Sequence, residues 1–159
     1  MGSGKSHWAK ALSERLNLPS FDLDEQIVNA EGRTVNEIFE QEGEEAFRLK
    51  EKDLLHIITE SHGSFIMACG GGTPCYFNNI EYMNQSGTTV WLNTPINTIV
   101  ERLLTDKAAR PLLRDLPDSQ MKSFITRKFS DRRIYYEQAQ IRLDHEPTIE
   151  EFIEKVFHA

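Results

Sequence analysis

The segment Met1-Gly2-Ser3-Gly4-Lys5-Ser6 decides how the rest of this chain is read. Gly4-Lys5-Ser6 closes the phosphate-loop pattern G-x-x-x-x-G-K-[ST]. The chemistry needs these residue types. Gly2, Ser3 and Gly4 let backbone N–H groups crowd around phosphate oxygens, and the helix that begins at the loop adds its N-terminal dipole. Lys5 brings a cation to the terminal phosphates, and the Ser6 hydroxyl suits a Mg²⁺ ion. The following stretch, SHWAKALSERLNL, has helical periodicity, with Trp8, Ala11, Leu12 and Leu16 on one face. A flexible tag-like N-terminus would account for Met1 to Ser3, but not for Gly4-Lys5-Ser6 running straight into an amphipathic helix. Such a loop is normally fed by a buried strand. Here the pattern's opening glycine would fall two positions before Met1, and the strand is missing from the sequence.

Composition narrows the class. The 159 residues are 39% hydrophobic, enough for one domain with its own core. The net charge of −7, from 25 acids against 18 bases, argues against a nucleic-acid partner, whose phosphates call for a basic face. Cys69 and Cys75 form neither a disulfide framework nor a CxxC pair, and ordinary reduced thiols suggest a cytoplasmic protein. No apolar run reaches membrane-spanning length, and the N-terminus lacks the layout of a signal peptide.

Along the chain, LPSFDLD reads as a short strand ending in acids. TVNEIFEQEGEEAFRLKEKDLLHIITES reads as two helices broken near Gly43. SFIMAC and TTVWLN are continuous apolar runs, the pattern of strands buried on both faces. TPINTIVERLL and SQMKSFITRKFSDRRIYYEQA read as helices, IRLDH as a last strand, and TIEEFIEKVFHA as a closing helix with Thr148 and Glu151 as a capping box. Strands alternating with helices give an α/β domain with a mostly parallel sheet of four strands. The charged, Pro-broken stretch from about residue 104 to 119 has few inward apolar positions and reads as a mobile lid.

Several residues carry candidate chemistry. Asp22 and Asp24, at i and i+2 on a strand, would point the same way into the crevice at the carboxyl end of the sheet. One would hold Mg²⁺, and the other would orient and deprotonate an acceptor hydroxyl. Both as solvated turn acids is the plainer reading. Arg48 has Glu44 four residues before it and Glu51 three after. That spacing makes either a surface salt-bridge ladder or a guanidinium fork braced for a substrate carboxylate. Gly70-Gly71-Gly72, following SFIMAC, costs chain entropy and suggests a ligand lying directly on backbone. Arg110 in the 104–119 stretch would either supply transition-state charge or be a solvated loop arginine, as Arg114 beside it reads. Arg132 and Arg133 open RRIYYEQA, a stretch equally compatible with ordinary helix-surface chemistry.

Taken together, GSGKS, FDLD, GRTVNEIFEQEGEEAFRLKE, GGG, VWLNTP, ARPLL and RRIYYEQA resemble the shikimate kinase family in order and interval, from Gly2 to about Asp144. IFEQEGEEAFR is the most diagnostic of these stretches. The resemblance implies a single domain over residues 1–159 with the three-layer fold of P-loop small-molecule kinases of the nucleoside-monophosphate-kinase type. That fold has a central mostly parallel sheet, a lid and substrate-binding helices. It implies transfer of the ATP γ-phosphate to the 3-hydroxyl of shikimate, with Mg²⁺, by a cytoplasmic monomer of aromatic amino-acid biosynthesis. By position, Lys5 and Arg110 would contact ATP phosphates and Ser6 and Asp22 would hold Mg²⁺. Asp24 would bind the reacting hydroxyl as base, Arg48 and Arg132 would hold the carboxylate, and Gly70, Gly71 and Gly72 would lie under the ring. Arg132 is chosen over Arg133 by counting back from Tyr136. Arg102 and the Pro147 region are candidates for the adenine side. His7, Trp8 and Ile134 depart from the usual family residues. A related kinase acting on gluconate would share the loop and early acids but has no need of two carboxylate-binding arginines. A nucleotide-binding scaffold without turnover would share the loop alone. In this kinase type the absent strand is central, between the strands at Ser64–Cys69 and Thr88–Asn93. The natural polypeptide is therefore expected to begin roughly ten residues earlier, with an apolar strand of typical length.

Overall fold

The computed structural model describes residues 4–107 and 110–158. Helix α1 (Lys5–Leu16) starts after Gly4, whose φ of 85° lies in the left-handed region that glycine adopts without strain. Strand β1 (Ser20–Asp22) leads into α2 (Leu23–Glu31), α3 (Val35–Glu42) and α4 (Glu44–Ser61). Strand β2 (Ile66–Ala68) is followed by a 3₁₀ turn at Thr73–Cys75 and helix α5 (Asn79–Ser86). Then come β3 (Val90–Leu92), α6 (Ile96–Asp106), a second 3₁₀ turn at Asp118–Gln120, α7 (Met121–Tyr136), β4 (Ile141–Leu143) and α8 (Ile149–Phe157). The α3–α4 break falls at Gly43, as the sequence indicates, with φ of 89°. Thr148 and Glu151 form the reciprocal capping box expected at α8.

The four expected strands are present, but they form two separate parallel pairs. β1 lies beside β2, with Ser20 opposite Ile66, and β3 lies beside β4, with Val90 opposite Ile141. β2 and β3 share no ladder among the described residues.

Alternation along the strands sorts the core into layers. Ile66, Val90, Leu92 and Leu143 pack with Trp8 and Leu12 of α1 and Phe152 of α8. On the opposite face, Phe21 and Met67 meet Leu23 and Ile27 of α2 and Phe47, Leu55 and Ile58 of α4, and Trp91 meets Phe129 and Tyr136 of α7. Helices therefore cover both faces of the strands, the three-layer arrangement expected.

Three local readings are corrected. Asp24 is not a strand residue: β1 ends at Asp22, which caps α2 by accepting a hydrogen bond from the Glu25 N–H at 3.3 Å. An Asp that can satisfy the orphan donors of a helix start ends the strand there. DEQIVNAE, left without an element in the sequence reading, is that helix. The 104–119 stretch also has more inward apolar character than its charges suggest. Leu113 is fully buried and packs with Leu103, Met121 and Ile125, with Leu116 against them.

Candidate active site

The site is assembled on the three glycines that follow β2. Gly70 lies against the Asp24 carboxylate: a Cβ built on Gly70 would stand 3.5 Å from Oδ1 and 3.7 Å from Oδ2. The Gly71 carbonyl accepts a hydrogen bond from the Tyr136 hydroxyl at 2.6 Å. At Gly72, a Cβ would stand 2.7 Å from Cζ and Nη1 of Arg48 and would overlap Nη2. The run is thus a close-approach surface, each glycine meeting a different side chain.

Arg48 is buried, which removes the surface-ladder reading of its neighbours. Its Nη1 donates to both carboxylate oxygens of Glu51, at 3.0 and 3.3 Å, and its Nη2 donates to Glu44 at 3.3 Å. The guanidinium also stacks over the Tyr76 ring at 4.5 Å, and the Tyr76 hydroxyl donates to Glu44 at 2.9 Å. Its Nε is buried without a hydrogen-bond partner. Glu51, fully buried, also accepts from the Thr73 hydroxyl at 2.8 Å. Burial pushes the Glu51 carboxyl above the usual range, and the Arg48 charge opposes that shift. Sequence spacing finds the two glutamates. Thr73 and Tyr76 could not be found from it, because they arrive through the turn after the glycines.

Arg132 is buried on α7 and faces the same turn: the Cys75 thiol, pushed up to about 11 by burial, is opposed by the charges of Arg132 and then Arg48. Arg133 points away, exposed and paired with Glu137 at 2.6 Å. Of the two neighbours, only Arg132 is turned inward.

On the loop side, burial pulls the Lys5 ammonium below its ordinary pKa. The Asp24 carboxylate opposes this most, the Arg110 cation adds to it, and Asp22 also opposes. The Ser6 hydroxyl donates to Asp22 at 3.0 Å. Lys5, Ser6, Asp22, Asp24 and Arg110 thus form one electrostatic group. Arg110 pairs with Asp106 at 3.5 Å, and its Nε is buried with no hydrogen-bond partner. Arg114 instead pairs with Glu40 at 2.5 Å, away from this group. Arg102 lies beside Gly4, 3.5 Å from where a Cβ there would stand, and Pro147 is buried. Gly2 and Ser3 lie outside the described residues.

A basic pair on one side of a glycine platform, and a lysine with two carboxylates on the other, fit a small acidic acceptor facing a phosphate donor. The sequence model of the shikimate kinase family matches residues 1–159. The chain belongs to the shikimate kinase family. It is 42% identical over 141 residues to a shikimate kinase of Azobacteroides pseudotrichonymphae, covering 89% of this chain and 83% of the relative. It is 40% identical to one of Bacteroides fragilis, covering 87% and 77%. Among solved structures it resembles the shikimate kinase of Bacteroides thetaiotaomicron, with a TM-score of 0.87 and 34% identity, over 100% of this chain and 94% of that one. It also resembles the shikimate kinase of Acinetobacter baumannii in complex with shikimate, with a TM-score of 0.88 and 29% identity, over 97% and 87%. No helix among the described residues is long and apolar enough to cross a membrane.

Proposed function

We propose that this shikimate kinase family member transfers the γ-phosphoryl group of ATP to the 3-hydroxyl of shikimate, a step of aromatic amino-acid biosynthesis. One observation carries the reading: the triple glycine brings the Asp24 carboxylate and the Arg48 guanidinium onto one backbone platform, at Gly70 and Gly72. A hydroxy acid of ring size presents a hydroxyl to one and a carboxylate to the other.

Arg48 and Arg132 hold the substrate carboxylate. Arg48 is pre-oriented, because Glu51, Glu44 and Tyr76 fix its plane before the substrate arrives. Asp24 accepts the proton of the 3-hydroxyl as its oxygen forms the new bond to phosphorus and the bond to the ADP oxygen breaks. Lys5, the backbone at Gly4 and Arg110 hold the charge that spreads over the phosphoryl oxygens and the leaving group. Ser6 and Asp22 fit Mg²⁺: they are hard oxygen ligands 3.0 Å apart, and Mg²⁺ takes few protein ligands beside phosphate. When bound, it neutralises phosphate charge. The reduced thiols and negative net charge suit a cytoplasmic enzyme, and we take the working unit to be a monomer.

A coupled assay of ADP release tests the proposal. Rapid release with shikimate, and little with gluconate or with a shikimate analogue lacking the carboxyl, is expected. ATP binding with no ADP release on adding shikimate would instead mark a scaffold without turnover.

A further inference from the structure

Thr73 stands between the two ends of the glycine platform. It is fully buried and opens the 3₁₀ turn that follows Gly72. Its N–H donates to the Gly70 carbonyl at 3.1 Å. Its carbonyl accepts from Nδ2 of Asn79, itself fully buried, at 2.9 Å. With both backbone groups held, the place of the hydroxyl is set. Its Oγ1 lies 3.4 Å from where a Cβ on Gly70 would stand, and the same point is 3.5 Å from Asp24 Oδ1.

A threonine hydroxyl has one proton to donate. Two carboxylates are near it, those of Asp24 and Glu51, and the proton goes to Glu51 Oε2 at 2.8 Å. Glu51 is the one that needs it. Burial and the Asp24 carboxylate both disfavour a charge on Glu51, while Arg48 and the Thr73 hydroxyl support one. Cys69, after β2, and Cys75, in the turn, also lie within reach of that charge, and burial holds both as neutral thiols. If Glu51 took up a proton, the attraction that binds Arg48 Nη1 to both of its oxygens would be lost. The guanidinium would then be held by Glu44 and the Tyr76 ring alone.

We propose that Thr73 is a positioning residue for the reaction. Its hydroxyl keeps Glu51 charged and turned toward Arg48, so that the guanidinium stays in the plane in which it meets the substrate carboxylate. The inference rests on the reading of Arg48 as a carboxylate-binding residue. Thr73 acts through Glu51 and Arg48 and not on the substrate itself. Loss of the hydroxyl raises the pH at which Glu51 takes up a proton. The defect therefore grows as pH falls and fades as pH rises. A hydrogen bond to a charged, buried acceptor corresponds to a displacement of about one pH unit or more.

The test uses the full chain with ATP and shikimate, and follows kcat and both KM values between about pH 5 and pH 9. Thr73→Val keeps the shape of the side chain and removes the donor. The pH below which the shikimate KM climbs should move up by about one unit relative to wild type. At the alkaline end the two shikimate KM values should agree within about twofold, and kcat and the ATP KM should stay within about twofold throughout. Thr73→Ser keeps the donor and should restore the wild-type profile. The carboxyl of shikimate titrates alike with every variant, so the difference between profiles belongs to the protein. Should Thr73→Val not fold, Thr73→Ala supplies the same comparison. Three results would overturn the proposal. The first is a rise in shikimate KM by the same factor at every pH, or one that Thr73→Ser does not reverse, which marks a packing role. The second is an unchanged profile for Thr73→Val while Arg48→Ala raises the shikimate KM. That outcome leaves the carboxylate reading standing and removes Thr73 from it. The third is an unchanged shikimate KM for Arg48→Ala, which removes the carboxylate reading and this inference with it.

Discussion

The Arg48 guanidinium rests against the Gly72 backbone so closely that a methyl group on Gly72 would stand 2.7 Å from Arg48 Cζ. The φ of Gly72 is −90°, so alanine is permitted by the backbone and excluded by its neighbour. Arg48 cannot retreat freely, because Glu51 and Glu44 hold both terminal nitrogens. Gly72→Ala is therefore expected to displace the guanidinium and raise KM for shikimate at least about tenfold, equivalent to about 1.4 kcal/mol, with KM for ATP unchanged. Steady-state kinetics at varied concentrations of each substrate check this, and an unaltered shikimate KM would remove Arg48 from the carboxylate.

Asp24→Asn keeps the shape of the side chain beside Gly70 and removes its charge. Loss of a general base typically lowers the rate about 10²–10⁴-fold. The kcat is expected to fall in that range while ATP affinity, followed by calorimetry, stays near wild type. Full turnover by Asp24→Asn would assign the base elsewhere.

The two neighbouring arginines on α7 should behave differently. Arg132→Ala removes a buried cation facing the turn at Cys75, and a loss of about 2–5 kcal/mol in shikimate binding is expected if it pairs with the carboxylate. Arg133→Ala breaks only an exposed pair with Glu137, worth about 0–1 kcal/mol, and should leave both kinetic constants unchanged. Comparable losses from both variants would show that the inward orientation has no bearing on binding.

The cysteines give a pH prediction. Burial raises the Cys75 thiol to about 11 and the Cys69 thiol to about 12, against an ordinary value of 9.0. Thiolate is the reactive form. A raised pKa means less thiolate at any pH below it, so at pH 8 alkylation of Cys75 should be about a hundredfold slower in the folded protein than in urea. The folded rate should keep climbing tenfold per pH unit beyond pH 9, where the unfolded rate levels off. Mass spectrometry of iodoacetamide-treated protein measures this. Equal rates folded and unfolded would mean that neither thiol is shielded.

Much of this architecture can be read from residue patterns, and the failures have physical causes. The Gly43 break, the α8 capping box and the four strands come from local signals, each contained within a few residues. The strand reading of Asp24 failed because Asp22, two residues before it, starts a helix: a capping aspartate and a strand aspartate look alike in sequence, and only the hydrogen bond from the Glu25 N–H to Asp22 separates them. Leu113 was hidden among charges and a proline, since the core it joins belongs to α6 and α7. In the site, Glu44 and Glu51 were legible because helix spacing fixes them relative to Arg48. Thr73, Tyr76 and Tyr136 were not, because their roles depend on how the turn after Gly72 folds back, which no short-range pattern encodes.

The separation of the strands into two pairs has a mechanical consequence. Each pair is stiff along its own ladder, but no ladder joins β2 to β3, and the boundary between them is bridged mainly by side-chain packing, that of Trp8 and Leu12 on α1, with the Tyr136–Gly71 hydrogen bond beside it. Packing of this kind resists compression better than sliding, so the boundary is a plane of low shear strength. Under a pulling force applied across it, with one handle on the Asp24–Arg48 half and the other on the β3–β4 half, the molecule should yield there first. The extension should come in two steps, the halves parting at low load and each ladder rupturing separately at higher load.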